Sequence, residues 1–454
     1  MAATQNVAAV SRESALAHRQ LLGRLEAARR QSDTLFSLVR VDALYDRPIP
    51  ERHRIIFYLG HLEAFDWNLL HGRALGLKSF DPNFDRLFAF GIDPVGGGLP
   101  NDVPSDWPSP DVVHEYGSGI RAALDDKLAQ ETDFLAPRYE GFSLSTLLNV
   151  AIEHRLMHVE TLSYMLHQLP LDRKLQRAGR PSLVPFATVH RMVEIPEGAV
   201  TLGLSRTDGI FGWDNEFEEH AVECPAFAID QYKVTNRQFA EFIAAGGYTT
   251  RAFWSDEDWA WKEAEKITHP VFWKQEGGEW IYRSMLNEIP LPLEWPVYVS
   301  QAEASAYARW LGKSLPTEAE WQRAAEPDIE RVAEKKISRG EALHGIPEGS
   351  DSLRWDPLPV NASKEAQSRF GVFDLYGNGW EWTSTQFAPF PGFEPFSFYR
   401  GYSADFFDGK HFVMKGGSPV TDECMLRPTF RNWFQPHYQY VYAGFRCVTR
   451  AASK

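Results

Sequence analysis

The chain has 454 residues, of which 44% are hydrophobic and 13% aromatic, and its formal net charge is −14. This length and apolar content allow two or three domains with sizeable cores. The acidic balance argues against nucleic acid and anionic membrane as partners, because both require a basic surface. No apolar run reaches about 18 residues, so we expect no membrane-spanning helix.

The amino-terminal residues lack the basic-then-apolar pattern of a secretory signal. The three cysteines, Cys224, Cys424 and Cys447, match neither a disulfide framework nor a CxxC zinc site. The simplest interpretation is a soluble, cytoplasmic protein whose cysteines stay reduced.

The first part of the chain, residues 1–170, is predicted to be an up-and-down four-helix bundle. Apolar residues at helical spacing predict helices over 11–39, 48–75, 110–129 and 147–168. Ser109 before Pro110 has the pattern of an N-cap followed by proline at the first helical position. Residues 82–107, rich in proline and glycine, are expected to form a long functional loop.

A charged stretch with little apolar content predicts a linker over 171–190, followed by a second domain over 191–454. Here short alternating runs at 192–204 and 227–234 predict strands. Residues 329–341 are charged and predicted to lie at the surface.

Two helices are predicted in this second domain, over 300–311 and 318–325. Each follows a capping-box pattern, Ser300-x-x-Glu303 in the first and Thr317-x-x-Glu320 in the second. The predicted fold class is therefore α+β, with a helical domain followed by a mixed one.

A pair of histidines marks the fourth predicted helix. His154 and His158 are four residues apart, so they lie on one helix face about one turn apart. Two imidazoles in this arrangement suit Zn, Fe, Cu or Ni. Glu160 points roughly 240° away from His154, at about 100° per residue, and is not expected to bind the same ion. Histidines at this spacing also occur as ordinary core or surface residues, so this pattern alone leaves both interpretations open.

A third ligand has to come from another helix, and we choose His61. Phe57, Phe65 and Asn68 share its helix face, so His61 is expected to point into a packed interior. The three histidines together, in one predicted bundle, strengthen the metal interpretation, and the interpretation as ordinary core histidines stays open beside it.

The second domain resembles the formylglycine-generating-enzyme fold. The motifs that carry this resemblance are Glu-Ile-Pro-Glu-Gly at 194–198, Val-Thr-Asn at 234–236, Gly-Gly-Tyr at 246–248, Leu-Pro-Thr-Glu-Ala-Glu-Trp at 315–321, Gly-Asn-Gly-Trp-Glu-Trp at 377–382, Gly-Gly-Ser at 416–418 and Gly-Phe-Arg-Cys at 444–447. Formylglycine-generating enzymes themselves use a close cysteine pair, which Cys424 and Cys447 do not form. The fold therefore does not carry that activity.

The first domain is similar to a DinB-like bundle. A DinB-like bundle joined to a formylglycine-type domain, with the pattern His-x3-His-x-Glu, resembles the EgtB family of ergothioneine biosynthesis, whose wider family includes selenoneine synthases. The resemblance implies a non-heme Fe(II) held by three histidines, matching His61, His154 and His158. It also implies small-molecule substrates: O2, hercynine modified at C2 of its imidazole, and a chalcogen donor.

Three departures from the family pattern concern the chalcogen donor and the oxygen chemistry. Residues 96–104 contain no arginine, whereas actinobacterial members hold γ-glutamylcysteine with an arginine-rich stretch there. Asn432-Trp433 is followed by Phe434 instead of an acid. Phe390 stands where a proton-donating tyrosine is expected, and a phenyl ring has no proton to donate. We therefore expect a selenosugar donor, with cysteine or γ-glutamylcysteine as the alternative.

The predicted substrate-binding residues are Asn432, Trp433, Phe390 and Phe90. Trp433 is expected to hold the trimethylammonium group of hercynine by a cation–π contact, and Asn432 its carboxylate. Phe88 and Phe90 are candidates to line the pocket, which we expect between the two domains, although core residues that anchor the loop are the favoured interpretation of both. A non-catalytic binding module is the alternative from a different functional class.

Overall fold

The computed structural model describes residues 2–89, 100–175, 188–327, 354–362 and 366–450, with side chains from residue 18 onward. It divides into two compact units, Met1–Arg177 and Ala178–Lys454. Residues 176–187 lie outside the described ranges, so the predicted linker and domain boundaries stay predictions.

Helices make up most of the first unit. They are α1 (Ala2–Phe36), α2 (Ile55–Leu70), the short α3 (Pro82–Leu87), α4 (Pro110–Gln130) and α5 (Leu144–Gln168). Strands β1 (Pro137–Tyr139) and β2 (Phe142–Ser143) form a small antiparallel hairpin before α5. Helix α5 packs against α1 and α2, and α2 also packs against α4.

The helix boundaries differ from the predicted ones for local reasons. Helix α1 begins at Ala2, ahead of the predicted start at residue 11. Helix α2 begins only after Arg54, since Pro48 and Pro50 restrict the backbone before it, and it ends at Leu70.

Part of the predicted loop is helical. The Asp81 carboxylate accepts the backbone N–H groups of Asn83 and Phe84, and Pro82 occupies the first turn, so α3 forms inside residues 82–107.

Helix α5 is buried along almost its whole length, from Leu144 to His167. Its buried polar residues include Glu153, His154, Arg155 and His158. Buried polar groups have to find partners inside the protein, since they have lost water. The contacts of these side chains therefore organise the first unit.

The described part of the second unit combines short helices with several small sheets. The helices are α6 (Asn236–Ala244), α7 (Asp256–Ala264), α8 (Gln301–Trp310) and α9 (Glu318–Ala324). The strands are β3 (Met192–Ile195), β4 (Gly198–Leu202), β5 (His220–Cys224), β6 (Phe227–Asp230), β7 (Trp273–Glu276), β8 (Glu279–Arg283), β9 (Glu288–Pro290), β10 (Trp380–Gln386), β11 (Phe412–Lys415), β12 (Asn432–Phe434), β13 (Ala443–Gly444) and β14 (Val448–Arg450).

These strands form four sheets. Their orders are β14-β6-β3, β4-β5, β7-β8-β9 and β12-β11-β10-β13, and only the β10–β13 pair is parallel. One hydrophobic core lies between α9 and the β14-β6-β3 sheet, around Trp321, Phe227 and Ile229. The α+β fold class is confirmed.

The predicted capping boxes at Ser300 and Thr317 are both present and open α8 and α9. Two further helices, α6 and α7, were not predicted. The Thr235-x-x-Gln238 capping box and the Ser255 cap are the signals that indicate them.

The predicted strand at 192–204 is two strands, β3 and β4, since Pro196 and Glu197 separate them. The predicted strand at 227–234 ends at Asp230. The charged segment 329–341 lies outside the described residues. No helix in the described ranges combines the length and apolar character needed to cross a membrane.

The start of α5 provides a test of local structure. The Ser143 hydroxyl accepts the Thr146 N–H, whereas Ser109, in the same position before α4, makes no capping hydrogen bond, contrary to the sequence pattern. Ser143→Ala should lower the free energy of unfolding of the helical unit by about 1 kcal/mol. Ser109→Ala, the matched control, should change it by less than about 0.5 kcal/mol. Urea unfolding followed by far-ultraviolet circular dichroism measures both, and equal losses would contradict the capping assignment.

Candidate metal centre

Helices α2 and α5 bring three imidazoles together inside the first unit. One nitrogen from each of His61, His154 and His158 lies within 4.8 Å of the other two. The three residues are 1%, 4% and 2% exposed. Among the described residues, this is the one group of three or more His, Cys, Asp or Glu side chains with metal-binding spacing, and Glu160 is not part of it.

A backbone carbonyl sets the orientation of His61. Its Nδ1 lies 2.7 Å from the carbonyl oxygen of Phe88, the residue that ends α3. A carbonyl only accepts, so Nδ1 carries the hydrogen and Nε2 keeps its lone pair. This Nε2 atom is buried and has no hydrogen-bond partner among the described residues. An orphaned buried acceptor in this position fits an ion.

The two histidines of α5 also fit a shared ion. Their Nε2 atoms lie 3.2 Å apart. Two imidazole nitrogens bound at about 2.1 Å to one ion, roughly at right angles, would be about 3 Å apart. The helical spacing of four residues produces this separation without a distortion of α5.

Aromatic rings of α2 surround the imidazoles. Phe57 stacks on His61 with centroids 4.8 Å apart, and Phe65 stacks on His154 at 3.4 Å. The predicted apolar surroundings of His61 are therefore confirmed. Burial lowers the pKa of His61 to about 4, and burial together with neighbouring positive charge lowers the pKa of His154 and His158 well below the usual value. Neutral imidazole is the form that binds metals.

The α2 face that carries His61 also binds α3. Asn68 donates to the carbonyl oxygen of Asp85 at 3.0 Å, one turn before Phe88. The Phe88 ring lies directly over Gly60, where an added Cβ would approach ring carbons to 2.5 Å. Phe88 is fully buried and its carbonyl bonds His61, which agrees with the interpretation of Phe88 as a core residue that anchors the loop. Phe90 lies outside the described residues.

Comparisons with known proteins agree with this architecture. A model described as sulfatase-modifying factor enzyme 1-like domain matches residues 179–451, and a DinB superfamily model matches residues 24–162. Hercynine oxygenase of Mycobacterium tuberculosis is 33% identical over 353 residues, covering 74% of this chain and 77% of the relative. Hercynine oxygenase of Mycolicibacterium smegmatis is 32% identical over 407 residues, covering 86% and 88%. The chain belongs to the hercynine oxygenase family.

A more distant relative of the chain is ergothioneine biosynthesis protein 1 of Neurospora crassa. It is 27% identical over 496 residues, which cover 90% of this chain and 55% of the fungal protein. The resemblance to the EgtB family, and the pairing of a DinB-like with a formylglycine-type domain, are thereby confirmed.

In this chain, three of the residues predicted to bind substrate belong to the second unit. Trp433, on β12, is half-buried and stacks on Phe387 with centroids 4.2 Å apart and ring planes 6° apart. The neighbouring Asn432 accepts the backbone N–H of Trp433 through Oδ1. Phe390 is buried beneath the Arg431 guanidinium, which lies 4.0 Å from its ring centroid. Their substrate contacts, and the pocket expected between the domains, stay predictions.

Sequence reasoning missed two features of the metal centre. It did not find the Phe88 carbonyl, because a backbone oxygen leaves no residue-type signal; the Asp81-Pro82 helix start was the available clue. It also overlooked Arg155, a charged residue between two predicted ligands.

The close approach at Gly60 provides a test of this packing. Gly60→Ala should displace the Phe88 ring and lower the free energy of unfolding of the helical unit by about 1–3 kcal/mol. Gly23→Ala in α1 is the control, because nothing lies within 4 Å of its added Cβ, and it should stabilise the unit by up to about 1 kcal/mol. Urea unfolding of both variants decides the matter. A Gly60→Ala protein as stable as the Gly23→Ala protein would contradict the described contact.

Proposed function

We propose that the protein is an O2-dependent, non-heme Fe(II) enzyme that forms a carbon–chalcogen bond at C2 of the hercynine imidazole. The observation that carries this proposal is the convergence of three buried imidazoles, with an orphaned acceptor at His61, in a chain of the hercynine oxygenase family. The relatives' names supply the substrate, and the buried histidines supply a place for the metal.

His61, His154 and His158 are the proposed ligands. Three neutral imidazoles suit several transition metals, and the reaction decides among them. Joining C2–H to an S–H or Se–H group removes two hydrogens, with O2 as the oxidant, and zinc has no redox chemistry. When bound, Fe(II) supplies electron transfer with O2 and holds the reactants on one centre.

The residues around the ligands have distinct proposed roles. The Phe88 carbonyl holds the Nδ1 hydrogen of His61, so that Nε2 faces the ion. The stacked rings of Phe57 and Phe65 restrict rotation of His61 and His154 and exclude water from one side of the centre. Fixed ligands and a dry wall both favour reaction between bound partners.

Trp433 and Asn432 are proposed to bind hercynine. Trp433 is held by Phe387 on one side and by the edge of Tyr402, whose centroid lies 5.4 Å away. A rigid indole of this kind suits a trimethylammonium group by a cation–π contact. Because Asn432 uses Oδ1 for the Trp433 N–H, its amide nitrogen is the group proposed to donate to the hercynine carboxylate.

A selenosugar is the proposed donor. Arg431 next to this Asn-Trp pair makes a two-point ion pair with Glu318, at 2.8 and 3.0 Å, and both side chains are buried. Arg427 pairs in the same way with Glu216. These two cations are neutralised within the protein, which favours a donor without a carboxylate. Cysteine is the alternative donor, and γ-glutamylcysteine a further one.

Metal content tests the proposed ligands. His61→Ala, His154→Ala and His158→Ala should each weaken iron binding by more than about 100-fold. Loss of a residue that only hydrogen-bonds a metal ligand already costs about 10–100-fold. His71→Ala is the control, because His71 lies at the end of α2, bonds the Trp67 carbonyl and is outside the cluster. Iron is measured after anaerobic loading and desalting. Full iron in all three variants would end the metal assignment.

Product analysis tests the reaction and the donor. Iron-loaded protein with hercynine and O2 should give a hercynine adduct with a selenosugar, and less or none with cysteine or γ-glutamylcysteine. Mass spectrometry identifies the product, and an oxygen electrode records uptake with and without hercynine. Product with cysteine alone would contradict the selenosugar. No hercynine-dependent oxygen uptake with any donor would favour a non-catalytic binding module.

A further inference from the structure

A fully buried arginine, Arg155, stands between the two proposed ligands His154 and His158 in the sequence of α5. Arg155 has no exposed surface, and its guanidinium reaches two other helices. Its hydrogen bonds go to Glu63 Oε1 at 2.9 Å, Asp66 Oδ2 at 2.7 Å, the Leu62 carbonyl at 2.9 Å and Ser32 Oγ at 3.3 Å. One side chain of α5 thus holds α2 at several points and α1 at one.

These contacts are directional and costly to lose. Glu63 and Asp66 are themselves 4% and 0% exposed, so the charges of this group have lost most of their water. Removing one member would leave the others unpaired in the interior. Glu63 also accepts hydrogen bonds from Arg121 of α4, and Arg121 makes a two-point ion pair with Asp33 at 2.7 Å. The network therefore joins α4 to α2 at Glu63.

The position of these contacts along α2 is what connects them to His61. Leu62 and Glu63 follow His61 directly along α2, and Asp66 lies five residues after it. A slip of α2 by one residue would move it by about 1.5 Å and turn it by about 100°, which would carry these groups away from Arg155. Apolar packing tolerates small slips far better than a bonded guanidinium does. The same slip would carry His61 away from His154 and His158.

We propose that Arg155, together with Glu63 and Asp66, is a positioning group of the metal centre. It fixes the rotation and the register of α2 against α5, and thereby the place of His61 relative to the histidine pair. Arg155 does not touch the metal or the substrate. This inference rests on the metal function proposed above and adds a residue that the ligand set does not include.

Co(II) binding distinguishes a role of Arg155 in positioning His61 from a role in the stability of the helical unit alone. Co(II) accepts the same imidazole ligands and reports its ligand geometry in its visible spectrum. Arg155→Met should bind Co(II) about 10–100-fold more weakly than the unmodified protein and with an altered spectrum. The control is Arg173→Met. Arg173 is also an ion-paired arginine of the first unit, but it bonds Asp46 at 2.8 Å and Asp42 at 2.7 Å, and neither of these residues lies on α2 or α5. Its affinity and spectrum should match those of the unmodified protein.

Far-ultraviolet circular dichroism first establishes that each variant is folded. A folded Arg155→Met protein with unchanged Co(II) affinity and spectrum would overturn the inference. If Arg155→Met does not fold, Asp66→Asn decides, because the amide keeps the shape and one acceptor while removing the charge. It should show the same weakening and spectral change to a smaller degree, and no change would overturn the inference. Failure of the unmodified protein to bind Co(II) or Fe(II) would overturn the proposed function together with this inference. Metal binding by all proteins alike would overturn the inference alone.

Discussion

Contact between α2 and α5 is the constraint on which the proposed metal centre depends. Helix α5 is buried on nearly all sides, so its polar side chains are satisfied only by protein groups or by a ligand. Arg155 donates from its two terminal nitrogens to carboxylates and a carbonyl of α2. His154 and His158 instead turn toward each other and toward His61. The same helix contact therefore produces an ion-pair network on one side and a cluster of imidazoles on the other.

Groups that are not proposed ligands hold His61 in its orientation. Helix α3 contributes the Phe88 carbonyl, which selects the tautomer of His61, and the absence of a side chain at Gly60 lets the Phe88 ring lie close enough for this bond. Asn68 holds the preceding turn of α3 in place. Such support beyond the ligands usually governs how tightly and in what geometry a metal is held. Here it comes from α2, α3 and the contact of α2 with α5, all within the first unit.

The sequence allowed prediction of the three-histidine cluster because helical periodicity is a strong signal. Spacing alone placed His154 and His158 on one face, and the apolar neighbours of His61 indicated an interior position. The Phe88 contact depends on the path of a short helix that the glycine- and proline-rich composition concealed. Helices α6 and α7 were not predicted because each has only nine residues, which is fewer than three turns of periodic pattern. Their N-caps were present in the sequence as signals. The ion pairs of Arg431 and Arg427 join residues more than a hundred positions apart, which no local pattern reveals.

The measurement that tests the central claim most directly is an anomalous difference map at the iron absorption edge, from a crystal of anaerobically iron-loaded protein. The account predicts one strong peak in the first unit, bonded to the imidazoles of His61, His154 and His158. Iron bound elsewhere, or a loaded crystal with no peak among these three side chains, would contradict it.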